Sequence, residues 1–333
     1  GHDIDHIALA RWADLMIIAP ATANFIGKVA GGIADDLLTT VVMATRSPVL
    51  VCPAMNDAMW ANPVVGENTD KLRRLGCTVV EPAHGDLACG TEGKGRLADL
   101  DEILERATDL LSPRDLVNER ILVTAGPTRE PFDPVRFITN YSSGKMGYAL
   151  ARAARQRGAK VVLVSGPTAL PAPVGVEVVP VRSACEMRDA VLARLEDATV
   201  IVKAAAVADY RPAVCAEQKI KKRRGVFEFC LERNPDIIAE VGRNKGDRIL
   251  VGFAMESENL LKNARKKMRD KHMDLIVAND LTEAGAGFQG DTNVIRILSP
   301  DGRVEALPLM DKLEAAGRIL DRIRDIRAKR RGA

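Results

Sequence analysis

The sequence predicts an α/β chain built on two doubly wound, Rossmann-like parallel sheets, and three observations carry that expectation. Short apolar runs recur along the chain, many of them closed by proline, glycine or a charged residue. Amphipathic helical patterns lie between them, which is how buried parallel strands and their crossovers read. Ser112-Pro-Arg-Asp115 then interrupts the alternation with a linker-like sequence, so a second unit restarts downstream.

Taken in order, the first domain spans 1–112. Its apolar runs are Asp14-Leu-Met-Ile-Ile-Ala-Pro20, Pro48-Val-Leu-Val-Cys-Pro53 and Thr78-Val-Val-Glu81, with helical patterns over 33–44, 68–75 and 100–111. A linker over 113–119 follows, and the second domain covers 120–333. Its expected strands begin at Ile121, Lys160, Val176, Thr199, Ile249 and Leu275. Helices are expected over 146–157, 184–195, 237–243 and 257–271. In such a sheet ligands collect at the carboxyl ends of the strands. A late hairpin closes the pattern, 294–299 and 304–307 joined by Pro300-Asp-Gly-Arg303. No internal repeat is present.

Composition narrows the class. The 333 residues are 47% hydrophobic, enough for roughly two cores, and carry a net charge of +3. No apolar run reaches membrane-spanning length and no secretory signal is visible, so a cytoplasmic, non-membrane protein is expected. Six scattered cysteines form no Cys-x-x-Cys and point to reduced thiols rather than a structural zinc site. Aromatic residues make up 4% of the chain and none interleaves the basic run 219–224, which argues against nucleic acid as a partner. Arg327-Ala-Lys-Arg-Arg331 reads as a solvated tail.

One segment carries most of the chemistry. TAGPTREPFDPVRFITNYSSGKMG, positions 124–147, leaves an apolar strand and runs into a helix near Gly144. Backbone N–H groups and a helix N-terminus then meet at one place, where phosphate is well held. The loop is neither a GxGxxG turn nor a Walker A loop. Tyr141 and Lys145 have the Tyr-x-x-x-Lys spacing of short-chain dehydrogenases, but sit directly after the strand rather than far downstream of a glycine-rich first turn.

This segment resembles the opening motif of the phosphopantothenate–cysteine ligase family. Ala204-Ala-Ala-Val-Ala-Asp-Tyr-Arg-Pro212, Lys219-Ile-Lys-Lys222, Asn234-Pro-Asp-Ile237 and Val251-Gly-Phe-Ala254 agree with it in order and spacing. Upstream, His6-Ile-Ala-Leu-Ala-Arg-Trp-Ala-Asp14, Ala19-Pro-Ala-Thr-Ala-Asn24, Pro53-Ala-Met-Asn56 and Ala88-Cys-Gly-Thr-Glu-Gly-Lys-Gly-Arg96 resemble the flavin-dependent phosphopantothenoylcysteine decarboxylase family. Together the two resemble the bifunctional family of coenzyme A biosynthesis.

The resemblance implies a CTP-dependent, Mg²⁺-assisted ligation of 4'-phosphopantothenate with cysteine through an acyl-cytidylate, its metal ligands unassigned. It implies an FMN-dependent decarboxylation of the product to 4'-phosphopantetheine. Carried over residue by residue, Lys203, Ala204, Ala205, Asp209, Pro235, Asp236, Ile237, Ile238, Phe253, Lys267 and Lys271 would meet CTP. Lys219 would bridge the triphosphate, Asn140 would stabilise the acyl-cytidylate, and Arg136 would contact the phosphopantothenate. In the first domain His6 would act as base or orienting group, Asn56 would hold the substrate carboxylate and Cys89 would donate a proton. Thr22, Asn24 and Met55 would lie against FMN. Assembly is implied through ligase dimers and decarboxylase trimers.

Taken singly these residues have blander readings. A lone histidine at a helix start is more often structural, an isolated loop cysteine is usually inert, and Met55 is commonly core filler. The chain also opens without the first strand and glycine-rich turn that help bind the flavin phosphate in the decarboxylase family. The expectation is therefore a shortened flavin domain that holds FMN less well. Two other classes compete: an NAD(P)-dependent oxidoreductase using Tyr141 and Lys145, and a non-catalytic assembly partner.

Overall fold

The computed structural model describes residues 5–86, 90, 92–221, 228, 230–256, 260–280 and 290–332. The chain divides into two compact units, Gly1–Ser112 and Pro113–Ala333.

The first unit is a three-stranded parallel sheet, Met16–Ala21, Val49–Pro53 and Thr78–Val79, with Val49–Pro53 in the middle. All five residues of that central strand are buried. The period of two sends Val49 and Val51 into one core with Ile18, Phe25, Ile26 and Leu72, and Leu50 and Cys52 into another with Val80 and Ile103. The helix expected to start at His6 runs Asp5–Trp12, while Ala23–Gly31 was not legible beforehand. Ala23–Gly31 is short, capped by the Thr22 hydroxyl on Phe25 N–H and stopped by Gly32 in the left-handed region. Ala83–Asp86 and Glu92–Arg96 pair as a separate antiparallel ribbon.

The second unit is an eight-stranded sheet. Its order is Glu177–Pro180, Lys160–Ser165, Arg120–Ala125, Val200–Lys203, Ile249–Glu256, Leu275–Asp280, Ile295–Leu298 and Val304–Ala306. The first six are parallel and the last two run antiparallel as the expected hairpin. In chain order this is 3-2-1-4-5-6, the doubly wound order, which reverses between Arg120–Ala125 and Val200–Lys203. Alternate strand residues feed two cores. Ile121, Val123, Val200 and Val202 meet helices Lys145–Gln156 and Lys312–Arg331 on one face. Leu122, Ile201, Leu250 and Ile276 meet Ala184–Leu192, Ile237–Asn244 and Leu260–Asp270 on the other.

The basic C-terminus departs from the expected solvated tail. It is the last turn of a 20-residue helix whose Ile319, Leu320 and Ile323 are fully buried. Arg327 and Arg331 reach the buried Glu119, and Arg330 reaches Asp274. Arg157, itself buried, joins Asp115 at 2.6 Å to Asp321 of the same helix at 2.9 Å. Sequence spacing gave no sign of these partners because they lie 42 to 212 positions away in the chain.

Burial pushes the Asp115 carboxyl up, but the hydrogen bonds and charge of Arg157, joined by the Arg324 bond, together hold the group below its ordinary value. That stability is present above the usual carboxylate range and lost as pH falls through the lowered value. Arg157→Met should therefore lower stability at pH 7 by about 2 kcal/mol, a buried-pair loss reduced by the partners' partial exposure. It should also flatten the loss of stability below about pH 4. Trp12 and Trp60, the chain's two tryptophans, both lie in the first unit. Urea unfolding followed by far-UV circular dichroism should shift, while the tryptophan fluorescence midpoint stays put.

Candidate active site

The loops leaving Arg120–Ala125 and Val200–Lys203 are laced together at the point where the strand order reverses. Ala205 N–H donates to Thr124 Oγ1 at 3.2 Å, and Ala206 N–H to the Gly126 carbonyl at 2.9 Å. The fully buried Thr128 accepts from Ala208 N–H through its hydroxyl, while its carbonyl accepts from Thr139 Oγ1. Asn140 Nδ2 then donates to the Val207 carbonyl at 3.1 Å. Close approach is built in by glycine. A Cβ on Gly147 would lie 2.5 Å from that of Ala125, and one on Gly166 would lie 1.9 Å from the Pro127 carbonyl oxygen.

Two cavities of about 410 Å³ each open on this seam. The first lies over the N-terminus of Lys145–Gln156 and takes in Asn140 to Gly147, Ala204, Asn279, Asn293 and Lys312. Lys145 pairs with Asp291 at 2.7 Å. Burial, then the neighbouring Lys145 ammonium, lowers Lys312 from its ordinary value. Asn293 is buried with its Oδ1 unpaired and its Nδ2 facing only the Met146 sulfur at 3.8 Å.

The second cavity is lined by Asp209, Pro235 to Ile238, Lys267 and Lys271, sharing Lys203, Ala205 and Phe253 with the first. Asp236 caps helix Ile237–Asn244 through Ala239 N–H and pairs with Lys271 at 2.8 Å. Burial pushes the Asp236 carboxyl up, yet the Lys271 bond and the cap hold it below its ordinary value. Lys203 is half-buried, and burial lowers it to about 8. Asn234 ties the rim together through Ala208 O and Arg211.

Residues 116–326 match the family described as the DNA/pantothenate metabolism flavoprotein C-terminal domain, and residues 1–112 match the family described as Flavoprotein. The coenzyme A biosynthesis bifunctional protein CoaBC of Bacillus subtilis (strain 168) is 48% identical over 324 residues, covering 96% of this chain and 80% of that protein. The chain belongs to the bifunctional coenzyme A biosynthesis family. Among solved structures, the C-terminal domain of a CoaBC protein is 46% identical with a TM-score of 0.55, covering 63% of this chain and 98% of that one. The DNA/pantothenate metabolism flavoprotein from Streptococcus pneumoniae is 26% identical with a TM-score of 0.56, covering 62% and 99%.

Membership of this family disfavours the oxidoreductase alternative, and the geometry agrees. Tyr141 is 85% exposed, and Lys145 pairs with Asp291. Ten of the residues expected at CTP line the second cavity, arriving from four separate segments of chain. Ala204 and Asn140 line the first. Lys219 is exposed and outside both linings. Arg136 is also outside them, clamped on the fully buried Asp133 and on the Ile220 carbonyl. Sequence reasoning missed Lys312, Asn279, Asn293 and Asp291, whose placement depends on where the late hairpin and last helix return.

In the first unit, Thr22 and Asn24 follow the end of Met16–Ala21, and Met55 and Asn56 follow the end of Val49–Pro53. Asn56 caps the turn Asp57–Trp60. Met55 packs partly against the core, and its N–H donates to the Gly95 carbonyl at 2.9 Å. A Cβ on Gly95 would meet the Met55 carbonyl oxygen at 2.2 Å, so the ribbon can lie on this loop only with glycine there. Helix Asp5–Trp12 is tied at its far end, where Ala10 O accepts from Thr45 Oγ1 at the entrance to the central strand. His6, half-buried, lies one turn back along the helix, about 6 Å from Ala10. Cys89 lies outside the described residues. Burial pushes the Cys52 thiol up to about 11, which makes it a core residue rather than a nucleophile.

Asp133 positions the approach to Lys219. Its carboxylate accepts from the Arg136 side chain and from the backbone of Val135, Arg136 and Ile220, and the Arg136 bond holds it well below the usual range. Asp133→Asn puts a donor opposite these donors. Tryptic cleavage at Lys219 and Lys221 should accelerate by roughly tenfold, read by mass spectrometry of limited digests.

Proposed function

We propose that Pro113–Ala333 joins 4'-phosphopantothenate to cysteine using CTP, and that Gly1–Ser112 decarboxylates the product with FMN to 4'-phosphopantetheine. The observation that carries this reading is the convergence of the family's nucleotide residues on one cavity, beside a second cavity suited to an acyl phosphate. The nucleotide sits in the second cavity, with Asp209 and the backbone of 203–205 at base and ribose. Lys267 and Lys271, four apart on one helical face, meet its phosphates. Lys219 completes the triphosphate site from the segment anchored by Asp133.

Phosphopantothenate takes the first cavity. Its phosphate suits the N-terminus of Lys145–Gln156 with Lys145 and Lys312. The unpaired Asn293 Oδ1 suits a pantothenoyl amide or hydroxyl donor. Its carboxylate then attacks the α-phosphorus, pyrophosphate leaves, and the cysteine amine displaces CMP from the carbonyl. Asn140 holds the acyl-cytidylate, while Arg136, bound to Asp133 and the Ile220 carbonyl outside both linings, anchors the segment that carries Lys219. Among the described residues no three His, Cys, Asp or Glu side chains cluster to hold a metal. Mg²⁺ would assist by neutralising charge on the nucleotide phosphates.

In the first unit, Thr22 and Asn24, at the end of Met16–Ala21 beside the N-terminus of Ala23–Gly31, are placed to touch a bound flavin. When bound, FMN supplies the electron sink that loss of CO₂ requires. Asn56 orients the substrate carboxylate, His6 moves a proton near the thiol, and Cys89 returns one to the product. No helix among the described residues is long and apolar enough to cross a membrane. A cytoplasmic assembly of ligase dimers and decarboxylase trimers belongs to the same reading, and light scattering on the full chain checks its mass.

The test is pyrophosphate release by the full chain with phosphopantothenate, Mg²⁺, cysteine and either CTP or ATP. CTP-selective release that falls about 100-fold in Lys219→Gln is expected. Equal use of ATP would remove the CTP assignment, and no release with either nucleotide from folded protein would remove the ligase reading.

A further inference from the structure

Each cavity has its own pair of lysines, Lys145 and Lys312 in the first, Lys267 and Lys271 in the second. Four described residues are common to both linings: Lys203, Ala205, Val207 and Phe253. Lys203 alone among them carries a charge. It ends the strand Val200–Lys203 at the point where the strand order reverses, and it lines both cavities there.

Resting on the ligase reading, we propose that the Lys203 ammonium contacts the α-phosphoryl group at the seam and stabilises it as the carboxylate attacks. In that step the carboxylate oxygen bonds to the α-phosphorus. The bond from that phosphorus to the α,β-bridging oxygen breaks, and pyrophosphate leaves with the electron pair. Nothing is oxidised or reduced, and no proton moves. Negative charge concentrates on the equatorial and leaving oxygens during the transfer, and a cation already desolvated there acts with little reorganisation. Asp236 does not compete for the role, because Lys271 holds it at 2.8 Å.

The groups facing Lys203 are Asp236 from the cap of Ile237–Asn244, Lys271 just past Leu260–Asp270, and Asp209 from its own loop. Lys267 stands across the nucleotide cavity, and Lys145 and Lys312 across the acyl cavity. With both cavities empty, burial lowers the ammonium to about 8, Asp236 and Asp209 opposing and Lys271 adding to the shift. The charged form is the active one, so kcat/KM should fall as pH rises through about 8.

The experiment follows pyrophosphate release by the full chain with phosphopantothenate, CTP and Mg²⁺, without cysteine, so that cysteine's own titration is absent. Lys203→Met should lose about 100-fold in the single-turnover rate while its CTP dissociation constant stays within roughly threefold. Lys203→Arg, charged throughout, should retain part of the rate and lose the alkaline limb near pH 8. A Lys203→Met rate near that of the parent overturns the proposal. So does weakened CTP binding at an unchanged rate, which marks a ground-state contact only. If Lys203→Met does not fold, an alkaline limb that persists in Lys203→Arg overturns it. A parent chain that releases no pyrophosphate removes the ligase reading itself, and a silent variant beside an active parent does not.

Discussion

The parallel pairing of Arg120–Ala125 with Val200–Lys203 is the contact on which the second unit's site depends. These neighbours send their connections to opposite sides, and a crevice opens where the two directions part. Hydrogen bonds from Ala205, Ala206 and Ala208 N–H to Thr124, Gly126 and Thr128 fix the two loops across that crevice. Thr128 is fully buried, so each of its bonds avoids the penalty of an unsatisfied polar group. Glycines at 126, 147 and 166 let backbone approach backbone closely enough for those bonds to form.

Charge is segregated rather than spread. A net charge of +3 gives no hint that five lysines border two adjoining cavities while three arginines of the last helix lock onto Glu119 and Asp274. The lysines are partly neutralised, by Asp236 on Lys271 and Asp291 on Lys145. The remaining positive potential is what an anionic nucleotide and an acyl phosphate would meet. The arginine set serves stability instead, since each guanidinium meets a carboxylate or a backbone carbonyl.

The first unit uses a smaller version of the same logic. Its two described strand ends deliver hydroxyl and amide groups to one edge of the sheet. A glycine-dependent ribbon rests on Met55 and Asp57. The contact is made through backbone, which explains why Gly93 and Gly95 alternate with Glu92, Lys94 and Arg96: one ribbon face touches the loop while the other keeps its charges outward.

Much was decided by sequence alone. Apolar runs of strand length separated by amphipathic segments set the α/β class, and the turn Pro300-Asp-Gly-Arg303 set the hairpin, because these signals are local and periodic. The motif at 124–147 and its companions pointed, through family likeness, to residues that the fold gathers around two adjoining cavities. Tertiary structure alone decided what lies together across long separations. Lys312 and Asn293 reach the first cavity because the last helix and a short strand return to it. Arg136 turned inward onto Asp133, and Arg327 and Arg330 found carboxylates instead of solvent. No local pattern encodes these pairings, because each depends on where two distant segments cross, and that crossing is set by packing of the whole sheet.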